Sequence, residues 1–383
     1  MVITMEQENR LTTELSASSP RSERHVGFEL LRIVSMAMIV MMHMIGHGGL
    51  RSSVADGSTF YYIYWLLYAL GRVSTNCFVM LTGYYMVTSS IKPSRLFRIA
   101  CQVMFYSLLT FFIAWRAGYT ELTPNTLLSA VTPITSEGYW FASAYFLLYL
   151  TIPLLNRAIR GITDRRSYSR ILIIMLIVTS VWPTVFYWSD PMLVNGGYSY
   201  VWFIVLYFLA AYIRLYGLSV KRRTCLLVYF GLALIVPFTR LAATYLQTRL
   251  GATTLIDNVM DYKMPITVIM TVALFLIFKD IDIKNRVMRR LILWAAPLSF
   301  GVYLLHDSDY IRPLLWDIVD APRFGASPLT LLYMAAVITA VVIAGYAVDW
   351  LYHQLYRLLH FRSLERRMDA LAARVFSDGE KKN

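Results

Sequence analysis

The sequence has few charged residues and few cysteines. Charged residues make up 15% of the 383 positions and hydrophobic residues 57%, whereas a soluble domain has roughly 25% charged residues. This composition excludes an ordinary soluble globular protein and indicates an integral membrane protein. The three cysteines lie in apolar stretches without a CxxC spacing, which indicates neither a disulfide framework nor a zinc site. They are Cys77, Cys101 and Cys225.

Long apolar stretches recur along the chain, and a helix needs about 17 to 25 such residues to cross a bilayer core. The pattern predicts an all-α membrane protein with about ten transmembrane helices around a central cavity. We expect a disordered arm at 1–27, a transmembrane domain at 28–356 and a tail at 357–383. The predicted apolar stretches are 28–49, 59–88, 96–117, 139–157, 170–189, 198–217, 223–245, 261–279, 291–311 and 327–356.

The net charge of +13 comes from 36 Lys and Arg against 23 Asp and Glu, and its distribution argues against nucleic acid as a partner. Basic residues gather in alternate connections, such as 157–170, 214–223 and 279–290, whereas the connections between these hold few. Basic residues near helix ends stay in the cytoplasm. The asymmetry therefore predicts a multi-pass protein of the plasma membrane, with the lipid bilayer as its partner and both termini cytoplasmic.

Arg32 and His43 lie eleven positions apart in the first apolar stretch. Eleven residues of an α-helix cover about 16 Å and return to within roughly 20° of the starting direction, so the two share one face. Ionisable groups are costly in a bilayer and point to function. Glu29 can pair with Arg32 three residues later. The pair is either an interfacial salt bridge without a chemical role or a site where a guanidinium binds an anionic cofactor from the cytoplasm.

His43 can accept a proton from a hydroxyl near neutral pH, which makes it a candidate catalytic base; the alternative is a packing residue. His47, four residues later, permits a metal pair. No Cys, Asp or Glu lies near enough in sequence to complete that site, and we expect no metal. Arg95, between the basic residues Lys92 and Arg98, either attracts the same anionic ligand or reflects membrane topology alone.

Polar residues interrupt two further apolar stretches. Those in the second stretch either join neighbouring helices or line the cavity that the first helix faces. They are Arg72, Ser74, Asn76 and Thr82. In the ninth stretch, Tyr303 and His306 precede an acidic residue. They either anchor the helix at the membrane boundary or lie at an acceptor site.

Four blocks of sequence occur in a characteristic order. They are Phe28-Glu29-x-x-Arg32 with His43, Phe78-Val79-Met80-Leu81-Thr82-Gly83-Tyr84, Tyr139-Trp140-Phe141 with Tyr149-Leu150-Thr151-Ile152-Pro153, and Ser299-x-x-x-Tyr303-Leu304-Leu305-His306. Together, over about residues 25–355, they resemble the acyltransferase-3 family of bacterial membrane proteins, which O-acylate sugars and cell-surface polysaccharides. Glu29 and Thr82 stand where many members have Asp and Ser, and they keep the carboxylate and the hydroxyl.

The resemblance implies a membrane O-acyltransferase. Such an enzyme moves an acyl group, most often acetyl, from cytoplasmic acyl-CoA to a hydroxyl of an extracytoplasmic glycan, either a cell-surface polysaccharide or a lipid-linked sugar. By this resemblance Arg32, with Glu29 beside it, places the donor acetyl-CoA, and His43 is the catalytic base. Arg95 joins the donor-binding candidates.

The resemblance also adds Trp140 and Tyr303 to the candidate lining of the cavity. The residues alone leave a second function open, a transporter or flippase that moves a polar lipid-linked saccharide. Ten helices with polar residues inside the membrane suit that function as well. Covalent transfer of a label from acetyl-CoA to a glycan distinguishes the two, because only an enzyme makes that bond.

Overall fold

The computed structural model describes residues 24–251 and 260–380, in which all regular structure is helical. Residues 1–23, most of the predicted arm, lie outside the described ranges, as do 252–259. The α-helices, numbered in chain order, are α1 (Val26–Gly46), α2 (Thr59–Arg72), α3 (Ser74–Met86), α4 (Pro93–Arg116), α5 (Pro124–Val131), α6 (Trp140–Arg160), α7 (Arg165–Leu176), α8 (Trp182–Val185), α9 (Tyr200–Tyr216), α10 (Arg222–Leu250), α11 (Pro265–Lys279), α12 (Arg286–Ala295), α13 (Ser299–His306), α14 (Ile311–Val319), α15 (Thr330–Leu358) and α16 (Phe361–Glu380).

Within the described residues, seven helical stretches are long and apolar enough to cross a membrane. The apolar helices α9 and α11 have 17 and 15 residues. The predicted stretch 59–88 is interrupted at Val73, so it forms α2 and α3. The all-α fold is confirmed for the described ranges, and the count of ten stays a prediction. The seven are Val26–Ser53, Pro93–Arg116, Trp140–Arg160, Arg165–Val185, Arg222–Arg249, Arg286–His306 and Thr330–Leu358.

Helix α1 lies at the centre of the bundle. It contacts α2, α3, α11, α12, α13 and α15, and side chains along its length, such as Leu31 and Val40, are fully buried. Its first turn approaches α11 closely, because a Cβ at Gly27 would lie 2.1 Å from the carbonyl oxygen of Phe278. Since α1 carries both Arg32 and His43, its central position brings both side chains to the interior of the bundle.

Helices α3 and α9 pack with their backbones in contact. A Cβ at Gly83 would lie 2.8 Å from the carbonyl oxygen of Tyr207 and 2.9 Å from its Cα. Small residues allow this close approach between membrane helices, where van der Waals packing drives association. The contact fixes the position of α3. This helix carries Phe78 and Thr82, which lie one helical turn apart.

A buried carboxylate joins three helices. Asp349 of α15 accepts hydrogen bonds from Gln102 at 2.6 Å and from the Tyr106 hydroxyl at 3.1 Å, both on α4. Gly301 of α13 faces the same carboxylate, and a Cβ there would lie 2.4 Å from its Oδ1. A fully buried carboxylate needs such donors. The cluster therefore fixes α13 against α4 and α15.

The predicted tail contains a docked helix. Glu365 of α16 accepts two hydrogen bonds from Arg98, and Asp369 accepts from the backbone N–H and the hydroxyl of Ser94 at 3.1 and 2.8 Å. Ser94 lies in the first turn of α4, whose backbone N–H groups have no partner within the helix. Helix α16 is thus held against the beginning of α4.

Candidate active site

Two cavities lie along α1. The first, which we call the basic cavity, has a volume of about 490 Å³. The second, the His43 pocket, has a volume of about 30 Å³. The basic cavity is lined by residues that include Arg24, Glu29, Arg32, Arg95, Arg98 and Tyr145. The His43 pocket is lined by residues that include Met36, His43, Phe78, Trp140, Tyr303 and Asp307.

Three helices contribute to both cavities with residues one turn apart. Residues four positions apart lie on one helix face, about 6 Å from each other along the axis. The two cavities therefore adjoin across a layer about one helical turn thick. The pairs, with the residue of the basic cavity first, are Arg32 and Met36 on α1, Thr82 and Phe78 on α3, and Tyr145 and Phe141 on α6.

The layer between the cavities, which we call the wall, is formed by Met36, Phe78 and Phe141. Phe78 meets Phe141 edge to face, with 6.4 Å between ring centroids. Phe141 stacks on Tyr145 at 5.9 Å, and the Tyr145 hydroxyl accepts a hydrogen bond from Thr82 at 3.2 Å. The wall itself is therefore apolar, and the hydroxyl groups of Thr82 and Tyr145 border it on the side of the basic cavity.

Glu29 pairs with Arg32 in the basic cavity. Nη1 of Arg32 donates to the two carboxylate oxygens at 3.0 and 2.8 Å. The Glu29 side chain is 4% exposed and that of Arg32 is 31% exposed, so the buried acid holds a guanidinium that reaches the cavity. Nε and Nη2 of Arg32 make no hydrogen bond with the described residues, and they are available to an anionic ligand.

The other arginines of the basic cavity differ in how far they are neutralised. Arg98 is paired with Glu365. Arg95 donates to the sulfur of Met86 at 3.4 Å and has no carboxylate partner among the residues described. With four arginines and the carboxylates of Glu29 and Glu365, the cavity keeps an excess of positive charge. Such an excess concentrates anionic ligands.

His43 has two partners at the end of α13. Its Nδ1 lies 2.9 Å from Nε2 of His306 and 3.4 Å from Oδ1 of Asp307. Arg312 donates from Nε to the same carboxylate oxygen at 3.1 Å. Sequence reasoning found no carboxylate near His43, because Asp307 reaches it only through the packing of α13 on α1. The signal was present in the acidic residue that directly follows His306.

Three side chains around His43 have the spacing of a metal site. Ligand atoms of His43, His47 and Asp307 lie within 4.8 Å of one another, and these are residue types that bind zinc. Arg312 places a guanidinium on Asp307, and this cation opposes a second positive charge at the same carboxylate. His47 itself is exposed and its ring centroid lies 5.1 Å from that of His43, so the expectation of a metal-free site stays a prediction.

Arg72 lies outside the lining of both cavities, and its contacts fit the first of its two predicted roles, the joining of neighbouring helices. Its Nε donates to the carbonyl oxygen of Met260 at 2.5 Å and its Nη2 to the hydroxyl of Tyr198 at 2.9 Å. The guanidinium carbon lies 3.6 Å from the ring centroid of Tyr262. A buried cation is stabilised by such carbonyl and aromatic partners. Arg72 thus joins α2 to the segment before α11.

Ser74 and Asn76 also serve helix packing in place of lining a cavity. Asn76 donates to the carbonyl oxygen of Tyr262 at 3.0 Å and accepts from Nε1 of Trp202 at 3.0 Å. Ser74 donates to the sulfur of Met38 at 3.4 Å. Polar side chains inside a membrane bundle satisfy one another across helices, and these two residues fit that pattern.

The remaining sequence candidates lie at the two cavities. Thr82 lines the basic cavity. Trp140 and Tyr303 line the His43 pocket, where Trp140 packs on Tyr198 with 4.6 Å between ring centroids. His306 contributes as the hydrogen-bond partner of His43.

A family model described as an acyltransferase domain matches residues 25–349. The chain belongs to the acyltransferase-3 family. No curated protein and no solved structure matches it. The matched residues run from the beginning of α1 into α15 and include the lining of both cavities except Arg24, and the chain is accordingly a membrane acyltransferase.

The candidate site combines two kinds of chemistry. The basic cavity offers arginine side chains to an anionic ligand, and its volume lies within the roughly 300–1,000 Å³ of small-molecule sites. The His43 pocket offers an imidazole that can carry a proton during group transfer. Asp307 beside it can stabilise the imidazolium that forms.

Proposed function

We propose that this acyltransferase moves an acetyl group from acetyl-CoA, bound in the basic cavity, to a hydroxyl of an extracytoplasmic glycan at the His43 pocket. The observation that carries the proposal is the meeting of the two cavities across the wall. One cavity suits an anionic donor, the other holds the candidate base, and a single helix connects them. An acyl group passing between them travels about one helical turn.

The donor fits the basic cavity by charge and by reach. The free N–H groups of Arg32 and the guanidinium of Arg95 suit phosphate groups, which accept forked hydrogen bonds. Arg32 and His43 are about 16 Å apart along α1, comparable to the length of an extended pantetheine arm. Phosphates held near Arg32 therefore allow the thioester to reach His43 when the wall opens.

The transfer step balances without another reactant. The acceptor hydroxyl gives its proton to His43 as its oxygen attacks the thioester carbonyl. A carbon–oxygen bond forms, the carbon–sulfur bond breaks, and the departing thiolate takes the proton back from the imidazolium. The products are an O-acetyl ester and free CoA thiol. The carboxylate of Asp307, 3.4 Å from Nδ1, stabilises the imidazolium in between.

The proposal includes an orientation. Basic residues gather in alternate connections of the chain, and the basic cavity lies at the end of the bundle where α1 begins. Since basic residues near helix ends stay in the cytoplasm, the basic cavity faces the cytoplasm and the His43 pocket faces outwards. Both termini are then cytoplasmic, and the protein is a multi-pass protein of the plasma membrane.

The test uses the purified full-length protein in lipid nanodiscs with acetyl-CoA labelled in the acetyl group and a membrane glycan extract. We expect label on glycan with the wild type and a loss of about 100- to 10,000-fold with His43→Gln, the range of general acid–base catalysis. His360→Gln is the matched control, because His360 is exposed between α15 and α16.

Equal labelling by His43→Gln would contradict the assignment of His43 as the base. Label that stays on the protein would indicate an acyl-histidine intermediate in place of direct transfer. Movement of unmodified glycan across the bilayer without labelling would support the transporter function and overturn the proposal.

A further inference from the structure

The imidazole of His306 lies between a backbone carbonyl and His43. Its Nδ1 is 2.6 Å from the carbonyl oxygen of Val302, one turn earlier in α13. Its Nε2 is 2.9 Å from Nδ1 of His43. His306 is only 1% exposed, so bulk solvent does not reach these contacts. Both distances are those of hydrogen bonds, and each contact therefore contains one proton.

The proton positions follow from the chemistry of the carbonyl. The oxygen of Val302 only accepts, so Nδ1 of His306 carries the proton of that contact. A neutral imidazole has one N–H and one accepting nitrogen, which makes Nε2 of His306 an acceptor. Nδ1 of His43 must then donate. The unprotonated nitrogen of His43 is Nε2, which makes no hydrogen bond with the residues that the structure describes.

We propose that His306 is a positioning residue that selects the Nδ1–H tautomer of His43 and leaves Nε2 free to accept a proton. The inference deepens the proposed function, since it rests on the role of His43 as the base. When Nε2 takes the hydroxyl proton, the hydrogen bond from Nδ1 to His306 becomes charge-assisted and stronger. The hydrogen bond to His306 thus stabilises the protonated imidazole of His43, which the transfer step requires.

Asp307 does not replace His306 in this role. Its Oδ1 lies 3.4 Å from Nδ1 of His43, beyond the usual 2.7–3.2 Å range of N–H···O hydrogen bonds. The same oxygen accepts from Arg312 at 3.1 Å, which holds the carboxylate away from the ring and weakens its field. Asp307 acts on His43 through charge, whereas His306 acts through a directed hydrogen bond.

Nitrogen-15 NMR of the histidine rings tests the assignment directly. The protein has six histidines, and all are labelled with nitrogen-15. The spectra are recorded in nanodiscs without substrate. The signals that disappear in His43→Gln belong to His43. We expect a protonated Nδ1 and an unprotonated Nε2. In His306→Leu, which removes the acceptor, we expect a mixture of tautomers and a fall in kcat of about 10- to 100-fold, typical of an orienting partner. The KM for acetyl-CoA should not change.

Two further variants separate positioning from folding. His306→Gln offers an amide oxygen to Nδ1 of His43, and we expect it to restore the Nδ1–H tautomer and most of kcat. His360→Leu is the control, because His360 is exposed between α15 and α16 and lines neither cavity. This control should keep the wild-type tautomer and kcat.

Three results would overturn the inference. They are a wild-type His43 protonated at Nε2, an Nδ1–H tautomer that persists in His306→Leu, and a His306→Gln variant that shows the Nδ1–H tautomer without recovery of kcat over His306→Leu. The NMR measurement needs no substrate. A wild type with the expected tautomer and no acyl transfer would therefore contradict the proposed function and leave the tautomer assignment standing.

Discussion

Glu365 accepts hydrogen bonds from Nε and Nη2 of Arg98 at 2.9 and 2.8 Å and so joins α16 to α4. The Tyr356 hydroxyl donates to the same carboxylate at 2.7 Å. Burial raises the pKa of the Glu365 carboxyl, but the hydrogen bonds from Arg98 and Tyr356 outweigh it and hold the pKa below its ordinary value of 4.5. Because Arg98 also lines the basic cavity, the tail helix sets part of the charge that this cavity presents.

The docking of α16 should depend on pH only in acid. A carboxyl whose pKa is lowered on folding contributes stability above its unfolded pKa, and the contribution is lost as the pH falls through the folded value. For Glu365 the loss therefore begins below about pH 4.5. We expect constant hydrogen-exchange protection of residues 361–371 from pH 8 to 5, after correction for the intrinsic exchange rate. Protection that disappears between pH 7 and 6 would contradict this assignment.

Glu365→Gln should tighten the binding of CoA. The change removes a negative charge that neutralises Arg98 at the edge of the basic cavity. Since the Arg98 side chain is 49% exposed, we expect a modest gain, about 2- to 5-fold in Kd, or up to ~1 kcal/mol. Calorimetry at low salt measures it, and high salt should reduce it. Asp280→Asn, at an exposed acid beyond α11, should leave Kd unchanged; an equal gain there would indicate a general charge effect.

Arg32 and Glu29 should be changed together. Arg32→Gln alone removes a proposed donor-binding group and leaves the buried Glu29 unpaired; because Arg32 is 31% exposed, the cost should be below the roughly 3–5 kcal/mol of a fully buried pair. The double variant Glu29→Gln with Arg32→Gln removes that penalty. We expect it to recover thermal stability while its affinity for CoA stays at least about tenfold below wild type. Arg357→Gln, at an exposed arginine, is the control, and wild-type affinity in the double variant would leave Arg32 with a structural role.

Asn76→Ala should reduce stability and spare the chemistry. The change leaves Nε1 of Trp202 and the carbonyl oxygen of Tyr262 without their partner, and each unsatisfied buried group costs about 1–3 kcal/mol. We expect a lower melting temperature and wild-type kcat for the protein that remains folded. A fall in kcat without a loss of stability would indicate that Asn76 acts at the His43 pocket.

Phe78→Ala should relax the selection of acyl chain length. The His43 pocket has about 30 Å³, room for about two water-sized groups of 10–15 Å³ each, which suits a two-carbon group. Removing the ring enlarges the pocket into the wall. We expect the rate with butyryl-CoA to rise relative to acetyl-CoA. Phe111→Ala, at a buried ring outside both cavities, should keep the wild-type ratio; an unchanged ratio in Phe78→Ala would show that the wall does not select chain length.

The sequence predicts those parts of the site that lie close together along one helix. Glu29 and Arg32 are three residues apart, and helical geometry alone brings them into contact. The pairing of His43 with His306 and Asp307 depends on how α13 packs on α1, which no local pattern records. Polar residues such as Asn76 show the opposite difficulty, because hydrogen bonding between helices and cavity lining require the same side chains.

The helices themselves follow from composition, because apolar length decides whether a segment can span a bilayer. The interruption at Val73 was missed because the polar residues beside it, Arg72 and Ser74, also occur inside continuous membrane helices, where they join neighbouring helices. The docked helix α16 was also missed. Its contacts with α4 come from Glu365 and Asp369, which in sequence resemble the charged residues of a solvated tail.

The wall of Met36, Phe78 and Phe141 is about one helical turn thick, although α1 and α6, which carry two of its side chains, are long enough to cross a bilayer. In the proposed orientation the two cavities reach this layer from opposite faces of the membrane, and the layer alone then separates them. Its apolar side chains cannot replace the water molecules around a hydrated ion. An apolar constriction of this kind excludes ions because water leaves it. With that orientation, the three apolar side chains would keep ions from passing between the two cavities.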